Sequence, residues 1–405
     1  MIKLDLAHLF VEKYTNEYLL VDFVEEREFI YFKNNGDYIE TMSLREEYEP
    51  TMLLFSNVRG LPLKDGDFFT VPMKQLIDLK SIREYQFDDD IEEFPMNLHM
   101  MFSNGEQLKQ LFDSKQANKT NNTIRAFQQH VKETWEGGTP CSLNNLEPNF
   151  VLEVVDVGQG STNLIYDDKT LTIFDCGVSI YFSKYECYNI LRGIQGLLDP
   201  SRKVSLIISH WDCDHYNLLT AMDDSLISSF CCVFVPSTVI SLTAKYVLKR
   251  IYKNCRWIRS FKPLPVTKKR KIGMQPVISK KNYELYVGEK CSSTNNSGLA
   301  LVIKGNYDIA ILSADHSNYQ IWDCIYSHIS HSVKSKLNIV VPHHGGNCGK
   351  IKVKHLTEQS GIAAVSVGKN SYKHPQQITI DEYKNLGFKV KRTDWERKNI
   401  VIQMR

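Results

Sequence analysis

Over the first hundred residues the apolar positions fall in short runs separated by polar turns. Tyr18 to Phe23, Phe29 to Phe32, Tyr38 to Ser43, Met52 to Phe55 and Phe68 to Pro72 read as strands, punctuated by Asn-Asn-Gly and Lys-Asp-Gly. Apolar residues at helical spacing then predict helices over Gln107 to Phe112 and Thr123 to Trp135. Glu136 to Pro148 breaks every periodicity with Gly137, Gly138, Pro140 and Pro148, so the domain boundary is placed there, dividing residues 1–147 from residues 148–405.

From Phe150 the pattern becomes strand, turn and helix. Phe150 to Val155, Thr162 to Tyr166 and Leu171 to Phe174 read as strands, Cys187 to Leu198 as a helix, and Val204 to Ser209 as a buried strand. Cys232 to Val235, Leu299 to Ile303, Ile309 to Leu312 and Ile339 to Val341 continue the series. Such alternation predicts α/β layers in the C-terminal part, beside a smaller β-rich α+β N-terminal domain.

Length agrees, since 405 residues at about 150 per domain require more than one core. With 42% hydrophobic and 24% charged residues the chain is an ordinary globular one, and disorder or a fibrous form is excluded as its main state. No apolar run approaches the roughly 20 residues that cross a bilayer, and the start lacks a long apolar leader, so a cytoplasmic protein without a membrane partner is expected. All ten cysteines lie at Cys141 or later with no C-x-x-C pair, which predicts free thiols.

Charge divides the halves. Residues 1–147 hold 15 Lys+Arg against 26 Asp+Glu, a balance of −11, whereas the remainder carries +13. Lys245 to Lys281 contains thirteen basic residues and no acid, with Tyr246, Tyr252, Trp257 and Phe261 interleaved. That composition suits phosphate contact and base stacking on a nucleic acid, with Lys268, Lys269, Arg270 and Lys271 the densest part. The acidic first half is a candidate surface for a protein partner, although its run Asp88 to Glu93 reads most simply as a solvated face.

The strongest chemical signal is Ser209-His210-Trp211-Asp212-Cys213-Asp214-His215, directly after a buried strand. Two imidazoles and two carboxylates within six residues can serve two metal ions from one loop. Two further apolar strands end in ligand-type residues: Ser313-Ala314-Asp315 leaves a carboxylate, and Pro342-His343-His344-Gly345 leaves two imidazoles. Together the three segments make a dinuclear set with a bridging carboxylate.

In order and content these segments resemble the metallo-β-lactamase superfamily. With Asp156-Val157-Gly158-Gln159-Gly160, Asn295-Asn296-Ser297 and Ser366-Val367-Gly368 followed by His374-Pro375, they resemble more narrowly the metallohydrolase domain of ComEC-type competence proteins. The resemblance covers about residues 150–405 and implies an αββα sandwich with a two-metal site that activates water. It implies one ion on His210, Asp212 and Asp315, and a second on Asp214, His215, Asp315 and either His343 or His344. Asp156 and Asp175 would orient ligands from behind, and His344 or His374 would protonate the leaving oxygen. Where the family has a second histidine this chain has Asp212, as choline-phosphate esterases of the superfamily also do. Ser161 replaces the Asp that ends the first motif, and no histidine lies between His215 and His316. Oxygen ligands in excess make Mn²⁺ competitive with Zn²⁺. The expected function is a nuclease or related phosphodiesterase in DNA processing or in defence against foreign DNA. A choline-phosphate type esterase, a lactonase and a binding module with a vestigial metal site are the alternatives.

Overall fold

Of the first 145 residues, the computed structural model describes 6–15, 18–25, 51–56, 58–61, 63–64, 66–77, 82–84, 97–101, 108–109, 111–112, 129–130 and 134–135. From residue 146 onward it describes all but 148, 183, 200, 240, 267–270, 292, 330–334, 354–355, 357–358 and 371. The expected strands at Phe29 to Phe32 and Tyr38 to Ser43, the run Asp88 to Glu93, and Lys268, Lys269 and Arg270 lie outside the described residues.

The N-terminal part forms a six-stranded sheet of β1 (Leu6–Tyr14), β2 (Tyr18–Glu25), β3 (Thr51–Ser56), β4 (Phe68–Pro72), β5 (Ile82–Glu84) and β6 (Asn97–Met101). The order is β4-β1-β2-β3-β6-β5, antiparallel except where β3 runs parallel to β6. Alternation along β2 sends Leu19 and Val21 into the sheet's own core, with Leu9, Val11, Phe55 and Phe112. Tyr18 and Leu20 point the other way and pack with Met52, Leu54 and Cys213. Cys213, the one thiol in the ligand loop, is thereby buried against the N-terminal sheet.

The C-terminal part is a four-layer sandwich. Its first sheet has the order β23 (Ile400–Met404), β9 (Phe150–Val154), β10 (Thr162–Tyr166), β11 (Thr170–Cys176), β12 (Lys203–Ile207), β13 (Phe230–Pro236), β15 (Trp257–Phe261) and β8 (Thr134–Trp135). The second runs in chain order through β16 (Met274–Ser279), β17 (Tyr283–Gly288), β18 (Leu299–Lys304), β19 (Asp308–Leu312), β20 (Lys336–Val340), β21 (Gln359–Val365) and β22 (Lys389–Arg392). Phe174, Ile207 and Phe234 of the first sheet meet Leu301, Ala310 and Leu312 of the second in a core between them. Ile173, Leu206 and Val233 face outward onto the helices Lys184–Gln195 and Leu242–Asn254. On the other side Val302, Ile311 and Ile339 pack with Trp322 and Tyr383. Central strands are therefore apolar on both faces, which is why β12 and β19 read as continuous hydrophobic runs. These layers are the expected αββα sandwich, and the N-terminal sheet is the expected β-rich companion.

Two expectations are corrected. Within the predicted helix Thr123 to Trp135, residues 129–130 form β7 (Gln129–His130), paired with β14 (Thr238–Val239), and residues 134–135 form β8, paired with β15. The unpaired amides and carbonyls of an edge strand outweigh a local helical spacing there. Eight cysteines are free among the described residues, but Cys232 is disulfide-bonded. Disulfide pairing follows from which Cβ atoms the fold brings together, and spacing along the chain does not show that. Among the described residues no helix is long and apolar enough to cross a membrane.

Candidate metal centre

Three parallel strands deliver the ligand-type residues at their C-terminal ends. The loop Ser209 to His215 follows β12, Ser313 to Asp315 follow β19, and Pro342 to Gly345 follow β20. The backbone is forced into unusual shapes here. Of the six non-glycine residues with positive φ among the described ones, Ala314 (46°), His343 (49°) and His344 (53°) belong to these loops, Asp175 (59°) lies near the end of β11, and Lys373 (58°) precedes His374. Conformations of that kind persist where the surroundings over-determine them, and they gather at functional sites. Gly177 shows one such constraint: a Cβ there would come within 2.0 Å of the Asp214 carbonyl oxygen, so only glycine lets the ligand loop pass. That same carbonyl accepts the Ser161 amide at 2.9 Å.

Each of three histidines is held by Nδ1 and presents Nε2. His215 donates from Nδ1 to Asp175 Oδ2 at 2.8 Å, and His344 donates from Nδ1 to the Ser366 carbonyl at 2.9 Å. His210 Nδ1 lies 2.9 Å from Ser209 Oγ, which itself donates to Asp175 at 2.9 Å. Asp175, fully buried, also accepts the Ser209 amide and the Ser161 hydroxyl. The Nε2 atoms of His210, His215 and His344 are buried without a hydrogen-bond partner. One such orphan costs about 1–3 kcal/mol, so three converging ones mark a place built for something else to bind.

The carboxylates complete two groups. His210, His215 and Asp315 form one, and Asp214, His215 and His344 the other, with ligand atoms within 4.8 Å of one another in each. Asp315 lies between the histidines, Oδ1 being 3.4 Å from His215 Nε2 and Oδ2 4.0 Å from His210 Nε2. Asp212 Oδ2 is 3.7 Å from His210 Nε2, and Asp214 Oδ2 is 3.3 Å from His344 Nε2. Three buried, unpartnered imidazole Nε2 atoms beside carboxylate oxygens are the donor set of a dinuclear divalent-metal site, so the residues present fit such ions.

Electrostatics point the same way. Burial alone would raise the Asp214 carboxyl, but the His344 and His215 imidazoles beside it bring it down to about 2. Burial also opposes the ionised form of Asp315, yet His343 and His215 hold it well below the usual carboxylate range. Burial works against a charged His215, and Asp175 and Asp315 overcome it, keeping this histidine protonated well above its ordinary range.

The adjacent histidines take different places. His344 joins Asp214 and His215, whereas His343 donates from Nδ1 to Asp315 Oδ2 at 2.5 Å. His374 stacks on Tyr372, and its ring lies 5.0 Å from that of His343. Asp175 accepts the His215 Nδ1–H, while the contacts of Asp156 lie elsewhere. It is bonded to the backbone of Gly158 and, through its own amide, to Asn399 Oδ1. Three supporting residues had not been singled out for these roles: Ser209, Ser161, and Asn295, whose Nδ2 donates to Asp315 Oδ2 at 3.3 Å. The serines carry no spacing signal, while Asn295 had been visible only inside a family motif.

The basic stretch is corrected in part. Lys245 is buried, and Arg250 is tied to Asp224 and to the carbonyls of Leu219, Thr220 and Met222. Tyr246 and Tyr252 pack on the sandwich core, Trp257 packs on the core between the sheets, and Phe261 is buried. These aromatics belong to the apolar face of a helix and a strand and are partly or fully buried against the cores. Lys271 is exposed, its Nζ 4.3 Å from the centroid of the Tyr319 ring.

No protein-family profile matches the chain, and no curated protein does. Solved structures do. The metallo-beta-lactamase fold protein YhfI from Bacillus subtilis is 13% identical with a TM-score of 0.37, covering 63% of this chain and 99% of its own. A metal-dependent hydrolase of the beta-lactamase superfamily, Tm1679, is 10% identical with a TM-score of 0.34, covering 62% and 98%. A diphosphatase from the PhnP family is 10% identical with a TM-score of 0.32, covering 63% and 98%.

Proposed function

We propose that the chain is a two-metal phosphodiesterase, a nuclease acting on DNA or another nucleic acid, of the ComEC-like kind that its motifs resemble. The observation that carries this is the convergence of three buried, unpartnered Nε2 atoms with Asp214 and Asp315, each imidazole held outward through Nδ1. Residues 148–405 are the hydrolase domain and residues 1–147 a smaller acidic domain. His210, Asp212 and Asp315 would hold one ion, and Asp214, His215 and His344 the other, with Asp315 close to both. Two divalent ions in such a set supply Lewis-acid activation of water and stabilise the charge that develops on an attacked phosphate. Asp175 and the Ser366 carbonyl keep the imidazoles aligned, which sustains ligand basicity. Asp214 has its side chain part-exposed at the mouth of the site. His374, whose ring lies 5.0 Å from that of His343, supplies the proton to the leaving oxygen. The +13 balance of the second half favours a polyanionic substrate over a neutral ester or lactone.

A metal-resolved assay tests this. Single-stranded DNA, double-stranded DNA and bis(p-nitrophenyl)phosphate are offered with Mn²⁺ or Zn²⁺. DNA cleavage is expected, faster with Mn²⁺, and Asp212→His should shift the preference towards zinc. Elemental analysis finding no bound ion, or hydrolysis of small esters with DNA untouched, would remove the nuclease reading.

A further inference from the structure

On the N-terminal side of Asp212 and Asp214 lies a cleft open to solvent. Both parts of the chain build it: Glu12, Tyr18 and Leu20 come from β1 and β2, and Gln159, Tyr181 and Tyr372 from the sandwich. The Tyr18 ring stands edge-to-face against both other tyrosines, with centroids 6.2 Å from Tyr181 and 6.0 Å from Tyr372, and its hydroxyl is hydrogen-bonded to that of Tyr372. Among the described residues the lining itself includes no lysine or arginine, while Lys369 Nζ lies 5.6 Å from the centroid of the Tyr181 ring.

Gln159 provides the second observation. It is 6% exposed, and its Oε1 is buried without a hydrogen-bond partner. Its loop cannot easily shift to relieve this. A Cβ on Gly160 would come 2.7 Å from the Val178 backbone, and one on Gly158 would meet Phe182 at 2.6 Å, so the backbone on each side of Gln159 is closely packed. A fixed, desolvated acceptor costs stability unless a ligand donor meets it.

We infer that this interdomain cleft is a nucleobase subsite, in which Tyr18, Tyr181 and Tyr372 enclose a planar heterocycle and Gln159 Oε1 accepts from one of its N–H groups. The inference rests on the phosphodiesterase reading above and adds to it the recognition of a base beside the scissile phosphate. Aromatic side chains bind bases through their π-faces, and an amide oxygen selects those with an amino or imino edge. A quaternary ammonium or an alkyl chain would leave Oε1 unpaired. The phosphate would lie at the metal centre, which adjoins the cleft at Asp212 and Asp214. The acidic N-terminal part is then a wall of the substrate site.

The test uses the full chain with Mn²⁺ and a short single-stranded oligodeoxynucleotide carrying one cleavable linkage. A single abasic residue is moved along it. Cleavage by the wild type should slow about tenfold, the scale of one base–aromatic contact, when the abasic residue occupies one position next to the cut. Gln159→Leu should slow cleavage of the intact oligonucleotide by a similar factor and add nothing when that base is missing. Tyr372→Leu should show the same coupling, which keeps the test open if Gln159→Leu does not fold. Indifference of the wild type to the abasic residue at every position would overturn the subsite. So would losses in the variants that are equal with and without the base. A wild type that cleaves no oligonucleotide with either ion would remove the phosphodiesterase reading itself, a different and distinguishable failure.

Discussion

Strands β2 and β12 are both buried on two faces, and they achieve it differently. β12 lies in the middle of the sandwich, with Leu206 under the helices and Ile207 between the sheets. Each of its neighbours is apolar, so shape and area suffice. β2 has its own sheet's core on one side, but on the other it meets the sandwich through Tyr18, Leu20 and Asp22. There the contact is polar and particular. Asp22 Oδ2 accepts the Leu242 amide at 2.8 Å and the Ser241 hydroxyl at 3.1 Å, while Oδ1 accepts the Thr243 hydroxyl at 2.7 Å. The N-terminal sheet thus caps the helix Leu242–Asn254 of the other part with a buried carboxylate, a stabilising arrangement at a helix N-terminus. Apolar burial stabilises a strand in place, whereas hydrogen bonds with fixed donors set one sheet in a single position against another. A cleft shared between the two needs the second kind of contact.

The comparison can be broken at either region. The largest effect should come from Asp214→Ala, which removes a ligand and leaves both cores intact. Metal occupancy should fall and cleavage should drop by about a thousandfold or more, with the melting temperature of the metal-free protein nearly unchanged. A variant that keeps its ions and its rate would show that the ligand groups are misassigned.

Asp22→Ala attacks the seam. Four donors at the helix start, the Thr243 amide among them, lose their acceptor together, which should cost about 2–4 kcal/mol and expose the N-terminal sheet to limited proteolysis. Because the cleft loses its alignment, cleavage of DNA should suffer more than hydrolysis of bis(p-nitrophenyl)phosphate. Equal loss on both substrates would confine the seam to a structural role.

Charge reversal at Lys268, Lys269, Arg270 and Lys271 is expected to touch neither core nor seam. Polynucleotide binding should weaken, and the slope of log K against log salt should flatten by about one for each phosphate contact removed. A variant with wild-type affinity and slope would make this segment a solvated loop.

The smallest effect concerns Lys245, buried on the capped helix, where burial pushes its ammonium down to about 7 despite the nearby Asp22. Unfolded lysine titrates near about 10.4, so between pH 7 and 10 the unfolded chain binds more protons and stability rises with pH. Lys245→Met removes that slope. Its melting temperature should exceed the wild type's by a few degrees at pH 7, and the difference should close towards pH 10. A difference independent of pH would mean that the lysine is not buried in solution.

Much of the sandwich was legible because its strands are short-range objects. Val204 to Ser209 and Ile309 to Leu312 announce buried strands by apolar runs alone. The ligand-type loop was legible for the same reason, since four donor residues within six positions need no distant information to be noticed. The same local signals misled where a distant partner decided the outcome. Gln129 to Trp135 has helical spacing but contributes two strands, because β14 and β15 lie ready to pair. Tyr246 and Tyr252 stand among cations in the chain, yet pack on the core once the helix has found its sheet.

By itself the sequence determined the donor chemistry, the layered α/β architecture and the division of charge, all of which follow from residue type and local period. The tertiary structure alone decided that His344 rather than His343 joins Asp214 and His215. Two successive residues in the left-handed region send neighbouring imidazoles to different partners, and no spacing rule shows this. It also decided that Ser209 and Ser161 serve Asp175, and that Tyr18 meets Tyr372 across 354 positions of chain. Such pairings depend on which surfaces remain to be covered after each sheet has formed its own core, and that is a property of the packed chain as a whole.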